Sequence, residues 1–353
     1  HDCVWAYPSK RCKIRSFLTS LAHSKDASRH HPLEAMISLL SKFESVLTRY
    51  FSFVLIASLG IGLIFPGLCD DVSPFILPVL MLVIYLGFLK TDYAVLRSEI
   101  LNIKRQLWLT SFCLILLPSL LFLAVKLVEI GLGTHSAWGT GVLLLFASPV
   151  AALGPTLALV MHGRFERTLC ILILTSLVAP FTLPFLLSFW VGASMDVGIW
   201  DMMIFLARLI LVPFAAAQFT LRFAKPVKQK LTPHTASLSV FFLCIVVIGG
   251  LSGLSQIIMR NPKLILEGIC VAAFCMFLAY MIGWWLHPPG ASLADRSTLA
   301  IVATWTNIGL SIVFAKQFFP GSDILLFVIL AEIPWNLFFA PAQFFIQKKS
   351  VAE

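Results

Sequence analysis

The chain has 353 residues, of which 59% are hydrophobic and 12% charged, and its mean hydropathy is +0.93. Soluble domains carry charge on about a quarter of their residues, so this composition excludes a soluble globular fold and implies an all-α polytopic membrane protein. The formal charge is +9, from 26 Lys and Arg against 17 Asp and Glu. The basic residues cluster between apolar runs, as the positive-inside bias requires, so the excess points to no nucleic-acid partner.

Residues 1–47 form a basic segment with Lys10, Arg11, Lys13 and Arg15. No apolar core with a small-residue cleavage site follows those charges, so the segment does not read as a signal peptide. Leu33, Met36, Ile37, Leu40 and Phe43 recur at helical spacing, which predicts a short amphipathic helix lying on the membrane. A transporter domain is expected over 48–346, followed by a cytoplasmic tail, 347–353. Crossing about 30 Å of hydrocarbon takes about 20 residues. Ten stretches qualify: 48–68, 73–91, 107–127, 137–161, 168–192, 199–223, 236–258, 263–286, 297–319 and 323–346. Loops bearing Lys90, Arg97, Lys104 and Arg105, and Arg222, Lys225, Lys228 and Lys230, are assigned to the cytoplasm. The acidic loops with Asp70-Asp71 and with Asp196 and Asp201 fall on the other side. Arg260 and Lys263 dissent from this pattern, but both termini are still expected inside, in the plasma (inner) membrane of a bacterium.

Two spans are interrupted. The fourth carries Ser148-Pro149 and Gly154-Pro155-Thr156, and the ninth carries Thr304, Thr306, Asn307 and Gly309 in an otherwise apolar run. Proline removes a backbone donor and clashes with the preceding turn, so the groups it frees need other partners inside the membrane. Paired discontinuous spans are how transporters build a midplane site. Pro155 and Gly309 lie 154 residues apart, as do Pro180 and Pro334. This offset predicts two inverted five-span repeats, about 48–192 and 199–346. Within the spans, Glu332 beside Asn336 is a candidate proton-linked carboxylate, and Arg208 a candidate partner for an anion or for Glu332. Lys126, Glu129, Glu267 and Lys316 lie near span ends, and His30-His31 reads as a solvated pair. The eight cysteines form no CxxC pair, so no metal centre or redox motif is expected.

The run SPVAALGPTLALVMHGRFERTLCILILTSLVAPFTLPFLL, Ser148 to Leu187, resembles the fourth and fifth helices of the bile acid:sodium symporter (BASS-type) superfamily, with Pro149, Gly163, Pro180 and Pro184 in place. TNIGLSIVFAKQFF resembles the family's ninth-helix break at Asn307, Gly309 and Leu310. Trp335-Asn336 resembles its last helix, and GFLKTDYAVLRS its loop after the second helix. The resemblance covers about 48–346. It implies ten helices in a panel and a core domain, with the fourth and ninth broken and crossing. It also implies sodium ligands at positions that here look like Gly154-Pro155, Thr168 and Leu172, and Val302 and Thr306. Most of the carboxylate and amide oxygens a hard cation needs are missing, so the chain reads as a divergent member whose residual sodium site would use Thr168, Thr304 and Thr306. The reactive fourth-helix cysteine of the arsenite exporters has no counterpart between Ala137 and Met161.

The expected function is secondary active transport of a small organic solute, an organic anion because half-helix N-termini favour one, with no cofactor and either sodium or protons as the coupling ion. The substrate or ion site is expected at Ser148, Pro149, Gly154, Pro155, Thr156, Thr168, Thr304, Thr306, Asn307, Gly309, Glu332 and Asn336. A receptor or scaffold of the same fold is the alternative. An intramembrane enzyme is disfavoured because no GxSxG, HExxH or paired-aspartate motif occurs.

Overall fold

A computed structural model describes residues 44, 47, 50–90, 99, 101–132, 137–192, 198–254, 257–258, 261–287 and 290–352. The expected amphipathic helix, His30-His31, most of the 91–100 loop, Asp196 and Arg260 lie outside them. The helices described below belong to the unit Leu47–Glu353. Among the described residues, seven helices are long and apolar enough to cross a membrane, and Phe51–Ile64 and Ile308–Phe318 are shorter apolar helices. The protein is therefore an integral, multi-pass membrane protein. Its outward surface agrees, since Phe181, Phe185 and Phe189 on one helix and Phe274 and Phe277 on another are exposed.

In chain order the helices are α1 Phe51–Ile64, α2 Pro66–Val72, α3 Ile76–Leu89, α4 Ile103–Ser111, α5 Leu117–Leu132, α6 Trp138–Phe146, α7 Gly154–Val160, α8 Phe165–Val191 and α9 Ile199–Phe223. There follow α10 Lys225–Leu231, α11 Thr235–Gly250, α12 Pro262–Trp285, α13 Leu293–Thr304, α14 Ile308–Phe318, α15 Asp323–Leu330, α16 Glu332–Leu337 and α17 Phe339–Ala352. The described residues contain no strand, only an isolated antiparallel bridge between Val150 and Thr306. Local chemistry sets several boundaries. Pro66 opens α2, Pro155 opens α7, and a π-turn over Phe112–Leu116 joins α4 to α5. The stretch expected as one span over 323–346 lies in one apolar helical run, Asp323–Lys349, in which Ala331 and Phe338 keep right-handed helical backbone on either side of Pro334.

Helices α1, α3, α9 and α11 pack on one another, α3 lying between α9 and α11, while α6 packs on α5 and α15 and α12 runs along α13. The interrupted helices are the interior of the molecule. Every residue of α6 is buried, as are Ser297–Thr304 of α13 and Ile308–Ala315 of α14. Lipid is as apolar as leucine, so association inside the bilayer relies on close packing at small residues. Gly283 of α12 makes the tightest approach to backbone: a Cβ there would lie 2.8 Å from both Ala300 Cα and Leu299 O of α13. These are backbone atoms and cannot swing aside. Lys316 closes a different seam, donating from Nζ to Gly249 O at 3.0 Å and Ser252 O at 3.5 Å, so a cation on α14 satisfies the exposed carbonyls ending α11.

Replacing Gly283 by Ala should cost about 1–3 kcal/mol by overpacking. The purified variant should melt several degrees below the parent, whereas Gly60→Ala, with nothing within 4 Å of the added Cβ, should not. Equal melting of Gly283→Ala and the parent would rule out the close α12–α13 contact.

Candidate functional site at the crossing of two broken helices

Helix α6 ends at Phe146 and α7 begins at Gly154, while α13 ends at Thr304 and α14 begins at Ile308. Both gaps are buried, so each polar backbone group in them needs a partner. The two gaps supply one another. Asn307 N donates to Pro149 O at 2.7 Å and Ala151 N to Trp305 O at 3.0 Å, which forms the Val150–Thr306 bridge. Thr306 Oγ1 donates to Leu145 O, a carbonyl at the end of α6, at 2.8 Å. Ser148 Oγ is hydrogen-bonded to Ser311 Oγ of α14 at 2.7 Å, and Val150 N donates to Thr175 Oγ1 of α8 at 3.2 Å. The outer ends are tied as well: Ser297 Oγ donates to Met161 O and Arg164 N to Thr298 Oγ1, so α7 lies against α13.

Asn307 has two roles. Its Oδ1 accepts from Leu310 N at 3.1 Å and caps α14, and its side chain borders a small cleft of about 20 Å³ beside Thr306, Gly309, Ala151, Glu332 and Trp335. That is space for about one water. Glu332 is 1% exposed, and Asn336 Nδ2 donates to its Oε1 at 3.1 Å and to its carbonyl at 2.8 Å. Glu332 Oε2, Asn336 Oδ1 and Trp335 Nε1 are buried and have no hydrogen-bond partner. Buried polar atoms left this way cost about 1–3 kcal/mol each, so they stand out as places for a water, ion or solute. Gly309 keeps the approach close, since a Cβ would meet Leu243 Cδ2 at 3.0 Å and Leu80 Cδ1 at 3.2 Å. A larger recess of about 260 Å³ borders the cleft through Leu153 and is lined by Phe51, Thr156, Leu157, Phe339 and Gln343.

Of the residues picked from sequence, Ser148, Pro149, Thr306, Asn307, Gly309, Glu332 and Asn336 meet at or beside the crossing. Gly154 and Pro155 are buried at the start of α7, and Thr156 faces the larger recess. Thr304 and Thr168 are buried but bond their own helices, to Ala300 O and Arg164 O. Thr168 makes no hydrogen bond to the crossing; the α8 hydroxyl that does is Thr175, two turns farther on. Thr175 and Ser311 escaped the sequence reading. Ser311 lies one turn after Asn307, a spacing that could have marked it. Arg208 is on an exposed face of α9 and shows no contact with Glu332.

Comparison with known proteins bears on these residues directly. The stretch 77–261, which contains the α6–α7 break, matches the family model described as Sodium Bile acid symporter family. The chain belongs to this family. The resemblance seen in Ser148–Leu187 therefore holds, while the likeness at Asn307 and Trp335-Asn336 lies beyond the matched stretch. The chain is also 25% identical over 202 residues to a protein of Bacillus subtilis (strain 168) described as Uncharacterized protein YbaS. That alignment takes in 52% of this chain and 65% of the relative. Members of the symporter family are membrane transporters, so transport rather than catalysis is the family's business.

Within that family setting the crossing offers neutral hydroxyls and main-chain carbonyls. Leu172 and Val302 are buried apolar side chains. Thr306→Val should leave Leu145 O without its donor and lower stability by about 1–3 kcal/mol. Melting of the purified variant checks this, and an unchanged midpoint would mean the bond carries no weight.

Proposed function

We propose that this symporter-family protein is a secondary active transporter of a small organic anion, working by alternating access on a ten-helix inverted repeat. The observation that carries the reading is the crossing itself: two broken helices, main chain paired to main chain, beside a cleft with an incompletely bonded carboxyl. Discontinuous helices joined in this way present helix ends to a solute at mid-depth. The N-terminus of α14 adds positive partial charge on the cleft side, which favours an anion or carboxylate. A receptor or scaffold would have no use for buried polar atoms held open at such a place.

Sodium coupling is expected to be weak. Thr168 and Thr304 bond their own helices, which leaves the hydroxyl of Thr306 and backbone carbonyls as a neutral set of oxygens, whereas a carboxylate about 4 Å from a cation contributes about 4 kcal/mol at an effective dielectric near 20. Glu332 is the carboxyl beside the crossing, and its unpartnered oxygen suits a proton that loads and leaves as the cleft changes access. The positive-inside bias of the basic loops supports a cytoplasmic side for both termini.

Uptake into liposomes, with sodium and proton gradients imposed separately across a panel of organic anions, tests the reading. Uptake should follow the proton gradient and change little with sodium, and Glu332→Gln should flatten its pH dependence. Steep saturation with sodium, or a Glu332→Gln profile matching the parent, would sink this coupling scheme. Asn307→Ser keeps a capping oxygen for Leu310 N but removes the amide, so the protein should melt normally while uptake falls about tenfold or more. Full uptake by that variant would remove Asn307 from the solute path.

A further inference from the structure

A second recess lies away from the crossing, where the starts of α4, α8 and α13 meet the end of α12. Its volume is about 460 Å³, within the range of small-ligand sites, and it is lined by Arg105, Trp108, Arg167, His287 and Asp295 with leucines behind them. Charges from separate segments of the chain converge on it. Arg105 Nη2 pairs with Glu99 Oε2 at 2.5 Å, and Arg164 Nε with Asp295 Oδ1 at 2.7 Å. Arg167 Nη1 also pairs with Asp295 Oδ1, and Arg167 Nε lies 3.6 Å from Glu99 Oε2. Burial pushes the Asp295 carboxyl up, but hydrogen bonds from Arg164, Ser292 and Arg167 more than offset it and hold the group below its usual range. Three guanidinium groups thus face two carboxylates, and the cluster keeps a net positive charge.

The donors are not used up. Arg105 Nε, Arg167 Nε and His287 Nε2 are buried and none has a hydrogen-bond partner. Guanidinium N–H groups accept nothing, so the missing partner must bring acceptor oxygens, and His287 can add a donor in one tautomer. The wall behind them is apolar, with Leu109, Ile171 and Leu299, and runs out to the exposed Trp108 and Leu286. An indole at the rim of a basic recess, on the face that carries the Lys- and Arg-rich loops, is where the inner-leaflet headgroups would lie.

We propose that this recess binds the headgroup of an anionic phospholipid. The phosphate oxygens take the free N–H groups of Arg105 and Arg167, and the acyl chain lies along Trp108 and Leu286. The lipid would fasten together the ends of four helices, two of which lead into the crossing.

The test follows melting of the full-length protein in neutral detergent with added short-chain phosphatidylglycerol, short-chain phosphatidylcholine or inorganic phosphate at equal concentration. Phosphatidylglycerol should raise the midpoint saturably and the other two should not. Arg105→Gln and His287→Leu should each need about tenfold more phosphatidylglycerol for half of the effect, and Lys230→Gln, an exposed lysine on α10, should respond like the parent. Native mass spectrometry from mixed vesicles should show phosphatidylglycerol retained by the parent and lost from Arg105→Gln; if that variant does not fold, His287→Leu decides. An equal rise with phosphatidylcholine, a rise with inorganic phosphate alone, which would make this a soluble-anion site, or recess variants that respond like the parent would overturn the proposal.

Discussion

A peptide group inside a membrane must find its hydrogen-bond partner within the protein, and the interior of this molecule follows from that constraint. Two helices stop midway, and their loose ends lie where water cannot reach. The pairing of Pro149 O with Asn307 N and of Ala151 N with Trp305 O answers it by the shortest route, joining one interruption to the other. Hydroxyls complete the accounting: Thr306 reaches Leu145 O, Thr175 takes Val150 N, and Ser148 meets Ser311. The complete burial of α6 and the burial of the ends of α13 and α14 nearest the gap then follow, because a crossing of this kind is stable only when other helices seal it from lipid.

What remains incompletely bonded is as informative as what is satisfied. At the crossing the spare atoms belong to Glu332, Trp335 and Asn336, all within one turn and a half of the 323–346 stretch. At the charged recess they belong to Arg105, Arg167 and His287. The first set is small, enclosed and centred on a carboxyl. The second is larger, open toward the helix ends and rich in N–H donors. Their chemistry is complementary in sign, so they suit different occupants.

Much of the plan was legible in the chain because membranes make anomalies conspicuous. Pro149, Pro155 and Asn307 stood out against uninterrupted apolar runs, and the membrane class followed from composition. The partners were less visible. One hydroxyl in an apolar helix has a local acceptor four residues back, which Thr168 and Thr304 use, so nothing in the sequence separated them from Thr175 or from Thr306, whose acceptor is 161 residues away. Glu99, Arg167 and Asp295 lie far apart in the chain, Arg167 at the start of α8 and Asp295 at the start of α13, and only the fold makes them a cluster.

The bridge between Val150 and Thr306 is made of main-chain atoms, and main-chain atoms are indifferent to the side chains they carry. Side chains around the bridge can therefore vary without removing it. Scaffold and cargo chemistry are in this way separately heritable: such a carrier can drift in what it couples to, residue by residue, without passing through a misfolded ancestor.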